Sequence, residues 1–291
     1  MTDPITSDNF HLSRPTTSHF GCADDGTPLS ALSCSDSKIL EFIAAATAPN
    51  TRRAYESDLR NFLAQGGRIP ATPEQVARYL VDNAATLSMA TLARRLAGIR
   101  AAHVERGFSD PTKSELIRLT LRGIRRKFGR PQRRVTALSS DDLRAIVALL
   151  GRSTRDVRDA AVLLVGFACA FRRSELVAID FNDVEIRETG AVIVIRRSKT
   201  DQAGHGRTVS IPRVHGLLCP VATLEQWLLI SQVTEGPVFR TLTKSGRVLP
   251  ARISAEAVTS ILKDRVQTIG RDPARYSGHS LRAGFATQLR E

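Results

Sequence analysis

His279 and Arg282 stand three residues apart at the start of an apolar helical run, Ser277 to Thr287. On a helix that spacing puts both side chains on one face. A His that can move a proton, beside an Arg that can fork onto a phosphate, suits phosphoryl transfer. Alone the pair is a weak signal, since a helix start with two polar surface residues has the same pattern. Two upstream features sharpen it. Arg172 and Glu175 are spaced as Arg-x-x-Glu within Ala170-Phe171-Arg172-Arg173-Ser174-Glu175-Leu176, and Lys199 lies in a turn between two strand-like runs. A phosphodiester transition state gains negative charge, and preorganised guanidinium forks stabilise it without a metal.

These residues need elements to hold them. The uncharged run Ala160 to Ala170 is hydrophobic all round and predicts a central buried helix. Arg172, Arg173 and Glu175 come directly after it, and a charged cluster there is costly to bury unless paired or functional. The period then changes. Val184-Glu185-Ile186, Ala191 to Ile195 and Thr208 to Ile211 predict three strands, with Thr189-Gly190 as a turn and Pro212 as a stop. Lys199 sits at the tip joining the last two. Ser139 or Ser140 caps a helix carrying Leu143, Ile146, Val147 and Leu150, and Leu217 to Ile230 predicts a helix with Trp227 inward. Ser254 caps another with Val258, Ile261, Leu262 and Val266, and a loop from Arg271 to Ser277 leads to His279. Leu281, Phe285 and Leu289 form an apolar stripe on the last helix.

The first half is helical. Residues 1–35 are rich in Thr, Ser, Asp, Gly and Pro and predict a disordered tail. From Asp36, Ile39, Leu40, Phe42 and Ile43 share one face. Thr51 is a candidate N-cap for a helix to Gln65, with Tyr55, Leu59, Phe62 and Leu63 inward and Arg52, Arg53 and Arg60 outward. Thr72-Pro73 starts the next, carrying Val76, Tyr79 and Leu80. A third runs from about Ser88 to Arg106 with Leu92, Leu96, Ile99 and His103 on one stripe, Arg94 opposite and Arg95 at the flank. A fourth runs from about Lys113 to Lys127 and ends in Arg122, Arg125 and Arg126. Residues 36–128 thus predict a four-helix domain with basic outer faces. Residues 129–138 form a basic linker containing Arg133 and Arg134, and 139–291 the second domain. The fold class expected is mainly α with a small antiparallel β-sheet.

A net charge of +13, from 42 Lys and Arg against 29 Asp and Glu, points to a polyanionic partner, most simply duplex DNA. Arg52, Arg53, Arg94, Arg95, Arg125, Arg126, Arg133 and Arg134 are the candidate backbone contacts. Cys22, Cys34, Cys169 and Cys219 form no Cys-x-x-Cys pair, and no His cluster has metal-ligand spacing, so neither metal nor cofactor is expected and the thiols read as free in a reducing compartment. The N-terminus has no secretory pattern, and the longest apolar run is too short to span a bilayer. Secreted and membrane classes are therefore set aside, and a cytoplasmic, nucleoid-associated protein is expected.

Arg-x-x-Glu, Lys and His-x-x-Arg in that order resemble the tyrosine recombinase (phage integrase) family. The resemblance runs from about Asp36 to the C-terminus. It implies a helical core-binding (SAM-like) domain and then an α+β DNA breaking-rejoining catalytic domain. It also implies roles: Arg172 and Arg282 clamp the scissile phosphate, Lys199 protonates the leaving 5′-oxygen, His279 moves a proton, and Glu175 orients groups around the phosphate. The family's tyrosine forms a 3′-phosphotyrosine, and protomers associate on DNA. That tyrosine is expected beyond the His-x-x-Arg helix, and the sequence stops at Glu291. The tyrosines present are Tyr55, Tyr79 and Tyr276, all on the amino-terminal side of His279 and all readable as packing residues. The expectation is therefore a catalytic domain incomplete at its C-terminus. Three readings stay open: a recombinase relative that binds DNA without cleaving it, an active recombinase whose tail lies elsewhere, and a non-catalytic helical DNA-binding regulator. The Lys199 hairpin argues against the last.

Overall fold

The computed structural model describes residues 41–42, 46–130, 135–196 and 206–288. The chain divides into two compact units, Met1–Gln132 and Arg133–Glu291, and each is described by itself. The expectations for the 1–35 tail, for Ile39, Leu40 and Ile43, and for Arg133, Arg134, Lys199 and Leu289 lie outside the described residues.

The first unit holds α1 (Pro49–Ala64), α2 (Pro73–Asp82), α3 (Met89–Glu105) and α4 (Glu115–Phe128). Side chains cap three of them. The Thr72, Ser88 and Ser114 hydroxyls accept from the backbone N–H groups of Gln75, Thr91 and Ile117. Two starts differ from the sequence reading. α1 begins at Pro49, whose fixed φ suits the first turn, so Thr51 lies inside the helix. The fourth helix is capped by Ser114, because Asp110 and Pro111 first fold a 3₁₀ turn over Pro111–Lys113. The core joins Phe62, Val76, Tyr79, Leu80, Leu92, Ile99, Ile117 and Ile124. Leu63 is exposed rather than inward, and the buried polar Asp58 occupies the inner face of α1 instead. His103 is fully buried, with Nε2 accepting from the Ala71 N–H and Nδ1 against the Ile99 carbonyl, so it serves packing.

The second unit holds α5 (Ser140–Leu149), α6 (Thr154–Ala168), α7 (Arg173–Ala178), β1 (Val184–Arg187), β2 (Gly190–Ile195), β3 (Arg207–Pro212), α8 (Pro220–Ser231), β4 (Arg240–Leu242), β5 (Val248–Arg252), α9 (Ala255–Thr268) and α10 (Ser280–Gln288). The three strands β1, β2 and β3 pair in sequence order, all antiparallel, with Ile195 opposite Arg207. The sheet packs through Ala191, Ile193, Ile195 and Ile211 onto the core of α6 and its neighbours. Trp227 is fully buried and donates its indole N–H to the Val238 carbonyl. The fold is mainly α with small antiparallel sheets; β4 and β5 form a second, two-stranded one that no alternation announces.

α6 begins six residues before the expected Ala160, capped by Ser153. Its early residues Arg158 and Asp159 are buried with the rest because the charges are paired: Arg158 Nη2 lies 2.8 Å from Asp159, and Arg265 of α9 lies 2.6 Å from Asp159 and 2.8 Å from Asp156. Pairing across 106 positions allows a charged turn to sit inside a core.

The other end of α6 sets the path of the chain into α7. Ala170 lies beyond the helix at φ 50, a left-handed conformation that glycine normally takes. The Ala170 N–H donates to the Phe167 carbonyl and the Phe171 N–H to the Gly166 carbonyl, a Schellman closure of the helix. It reverses the chain so that Arg172 starts α7 immediately. An alanine here carries a penalty of about 1 kcal/mol. Ala170→Gly is therefore expected to stabilise the chain by about that amount, read as a higher urea midpoint at unchanged slope. A lower midpoint would show that the Ala170 methyl group contributes more than the strain removes.

Candidate functional site

Arg172 caps α7, and its geometry is closed by Glu175 one turn on. The Arg172 N–H donates to Glu175 Oε2 at 3.0 Å, and Nη1 donates to Oε1 at 2.6 Å. The sequence spacing Arg-x-x-Glu thus lets one carboxylate accept the Arg172 N–H and pair with the Arg172 guanidinium at once. The Glu175 side chain is 1% exposed. A third donor arrives from β3, where Arg207 Nη2 reaches Glu175 Oε2 at 3.3 Å while its guanidinium lies 5.7 Å from the centre of the Phe171 ring. Burial by itself would raise the pKa of Glu175. The Arg172 N–H, the Arg172 guanidinium and the nearby charge of Arg207 outweigh it and hold the carboxyl below its usual value.

Arg282 joins from α10. Its Nη1 donates to the carbonyl of Ala170 at 3.1 Å, so the second Arg is docked on the turn that presents the first. Among the described residues, both guanidinium groups keep further donors unpaired. His279 is exposed on the turn before α10, where its carbonyl accepts from the Ala283 N–H. That turn is fixed by three bonds: Ser280 N–H to the Ser277 carbonyl, Ser277 N–H to Ser280 Oγ, and His279 N–H to Ser277 Oγ. Gly278 lets the stem of Arg173 cross at close range, since a Cβ there would lie 2.5 Å from Arg173 Cδ. Arg173 donates in turn to Thr259 of α9 at 3.0 Å. Leu138 runs beside α10: its N–H donates to the Ser280 carbonyl, and a Cβ on Gly284 would lie 2.0 Å from its carbonyl oxygen. The structure therefore brings Arg172, Glu175 and Arg282 together around Ala170 and places His279 one turn from Arg282. Leu281 is buried and Phe285 meets the Phe167 ring edge-on at 6.5 Å, so these two stripe positions have partners.

Two contributors carry no signal in the sequence. Arg207 belongs to no local motif, and only the antiparallel register of β2 and β3 brings it to Glu175. Arg173 reads as a mere neighbour of Arg172 and is the support beneath the His279 turn.

The basic candidates of the first unit divide. Arg125 and Arg126 are exposed near the end of α4, and exposed Arg53 donates to Asn50. Arg52 is half-buried rather than outward. Arg94 is half exposed and paired with Asp58 at 2.7 Å. Arg95 is not on an open face: it donates to Asn61 Oδ1 and to the Tyr79 hydroxyl, with Asn83 Oδ1 at 3.4 Å, inside the bundle. The buried Asp58 carboxylate and those polar groups draw it inward.

Residues 136–291 match the model of the phage integrase family. The chain belongs to that family. The matched span contains Arg172, Glu175, Lys199, His279 and Arg282. Among curated relatives, an integrase/recombinase XerD homolog of Selenomonas ruminantium is 35% identical over 250 residues, covering 82% of this chain and 73% of the relative. The recombinase Cre of Escherichia phage P1 is 26% identical over 242 residues, covering 76% and 68%. Among solved structures, a lambda integrase dimer bound to a COC′ core site overlays with a TM-score of 0.58 at 15% identity, covering 88% of this chain and 68% of that one. A XerH post-cleavage complex with palindromic difH substrate gives 0.57 at 16% identity, covering 89% and 74%. At those identities the two structures establish the shared fold.

Within this chain, Tyr79 and Tyr276 are both engaged in packing. The Tyr79 hydroxyl lies 2.8 Å from Asn61 Oδ1, and the buried Tyr276 hydroxyl is 3.4 Å from Asp142 Oδ2. Burial raises the pKa of both, and the Asp142 charge adds to the rise at Tyr276, which makes each a poor source of phenolate. Among the described residues no helix is long and apolar enough to cross a membrane.

The depressed Glu175 carboxyl sets a pH dependence. Its ionised form contributes stability above the unfolded value near 4.5, and that contribution is lost as pH falls through the lower folded value. Glu175→Gln should lower stability at pH 7 by about 3 kcal/mol, because two cations lose their partner. The gap to the parent chain should narrow below about pH 4.5, measured by urea titration at a series of pH values. A gap constant throughout that range would mean that Glu175 is not held ionised by Arg172 and Arg207.

Proposed function

We infer that this chain binds duplex DNA and seats one backbone phosphate between Arg172 and Arg282, with His279 beside it for proton transfer. The observation that supports this most is the bond from Arg282 to the Ala170 carbonyl, which ties the second guanidinium to the turn that presents the first. Two forked cations with spare donors suit a phosphate whose oxygens gain charge during displacement. Lys199, on the connection between β2 and β3, is assigned to protonating the leaving 5′-oxygen. Glu175 keeps Arg172 aimed. The reaction class is the metal-independent breaking and rejoining of DNA strands through a 3′-phosphotyrosine, which conserves the bond energy. The solved relatives include a recombinase bound to its difH substrate, a lambda integrase dimer on a core site and a lambda integrase tetramer on a Holliday junction. Association of protomers on DNA is part of the same reading, as is a cytoplasmic, nucleoid-associated location. The helical first unit is assigned the core-binding role, with Arg53, Arg94, Arg125 and Arg126 as its backbone contacts, and Arg133 and Arg134 of the basic stretch 129–138 are assigned as further backbone contacts.

A second reading, DNA binding without cleavage, is favoured by the engagement of Tyr79 and Tyr276 in packing. The two readings share the phosphate seat and differ only in whether a tyrosine attacks.

Binding should weaken steeply with salt, because each phosphate neutralised contributes about 0.9 to the slope of log affinity against log salt. Fluorescence anisotropy on labelled duplexes measures it. Arg125→Ala with Arg126→Ala should reduce that slope by about 1 for each phosphate left without its arginine. Arg172→Ala or Arg282→Ala should weaken binding by about 3- to 10-fold, equally across sequences, since phosphate contacts position and do not specify. Salt-independent binding would sink the reading. So would a loss of sequence preference at Arg172 or Arg282 with non-specific affinity intact.

A further inference from the structure

Arg207 is assigned no part in seating the phosphate, yet it shares the buried carboxylate on which Arg172 depends. Glu175 has two oxygens and three donors: Arg172 Nη1 on Oε1, and the Arg172 N–H with Arg207 Nη2 on Oε2. The Glu175 side chain is almost fully enclosed, whereas that of Arg207 is 45% exposed. Arg207 therefore reaches in from the surface. Its guanidinium is held in place by the ring of Phe171, the residue directly before Arg172. It opens β3, opposite Ile195 of β2, so it stands at the base of the connection that carries Lys199.

We propose that Arg207 is a positioning residue of the phosphate seat, acting through Glu175 and Phe171 to aim Arg172. Arg172 and Arg207 against one carboxylate leave the cluster with one net positive charge. With Arg207 removed, Glu175 neutralises Arg172 completely, and Oε2, left with the Arg172 N–H alone, can join Oε1 in drawing that guanidinium inward, away from an incoming phosphate. Arg207 also joins the start of β3 to the start of α7, so the strand after Lys199 is tied to the group that holds Arg172.

The proposal rests on the phosphate-seat reading, and a double-mutant cycle in the full 291-residue chain tests it. Arg207→Gln is expected to weaken duplex binding about threefold at low salt, and Arg207→Lys, which keeps the charge, to recover most of that loss. The decisive comparison is with Arg172. If Arg207 works through Arg172, the double variant Arg172→Ala with Arg207→Gln binds no more weakly than Arg172→Ala alone. Effects that multiply would show that Arg207 meets DNA by itself and would overturn the proposal, as would an Arg207→Gln variant that binds like the parent. Arg144→Ala, at an exposed pair with Asp141 on α5, serves as the remote control.

A DNA-free arm separates this proposal from the reading beneath it. The Glu175 carboxyl resonance, identified by its loss in Glu175→Gln, is followed by carbon NMR of the free chain through a pH titration. Arg207→Gln should move its midpoint upward and Arg207→Lys should move it less. An unmoved midpoint overturns the proposal whether or not the chain binds DNA. A parent chain that binds no DNA, with the midpoint shift present, would sink the functional reading and leave the Arg207–Glu175 coupling standing.

Discussion

A carboxylate cut off from water must be met by cations, and Glu175 is where the second unit satisfies that requirement. It lies in the first turn of α7, accepts from the residue that starts that helix, and draws in a guanidinium from β3. Losing both cations would leave a buried charge without compensation, a larger penalty than the pairs would be worth on an exposed surface. The left-handed turn at Ala170 is the other half of the constraint. It ends α6 abruptly enough for Arg172 to come at once, and its carbonyl gives Arg282 a fixed point. Helix end, ion pair and docked arginine thus form one connected piece.

The rest of the unit holds that piece still. α6 is buried along its whole middle and carries its own charges in pairs with α9. α10 is pressed against Leu138 closely enough to require Gly284, and Arg173 supports the His279 turn from below. These neighbours explain how a site made of long, mobile side chains becomes preorganised. Arg172 and Arg282 each have at least one bond that fixes their position and, among the described residues, further donors without a partner.

Much of this was legible in the sequence because it is local. The Arg172–Glu175 spacing, the Ser139, Ser254 and Thr72 caps, the three-stranded run and the buried Trp227 all come from short-range chemistry. The failures share a cause: each depends on a partner far along the chain. Arg158 and Asp159 disguised the start of α6 because Arg265, which makes their burial tolerable, is over a hundred positions away. Arg95 looked like a surface cation, and it turned inward to Asp58, Asn61 and Tyr79. Arg207 carried no signal until strand register placed it beside Glu175. Leu63 satisfied the helical period while the polar Asp58 took the inner face. Family resemblance supplied what geometry could not, namely the order of Arg, Lys, His and Arg and the reaction it implies.

If Arg172 and Arg282 form a single phosphate seat, one ligand must report on both. Their side-chain Nε–H resonances in the full chain, followed while a short duplex is added, give the most direct test. Both should shift together with one midpoint, because one phosphate meets both guanidinium groups. The single seat would be contradicted if DNA bound and moved Arg125 and Arg126 while Arg172 and Arg282 stayed fixed, or if the two shifted with different midpoints.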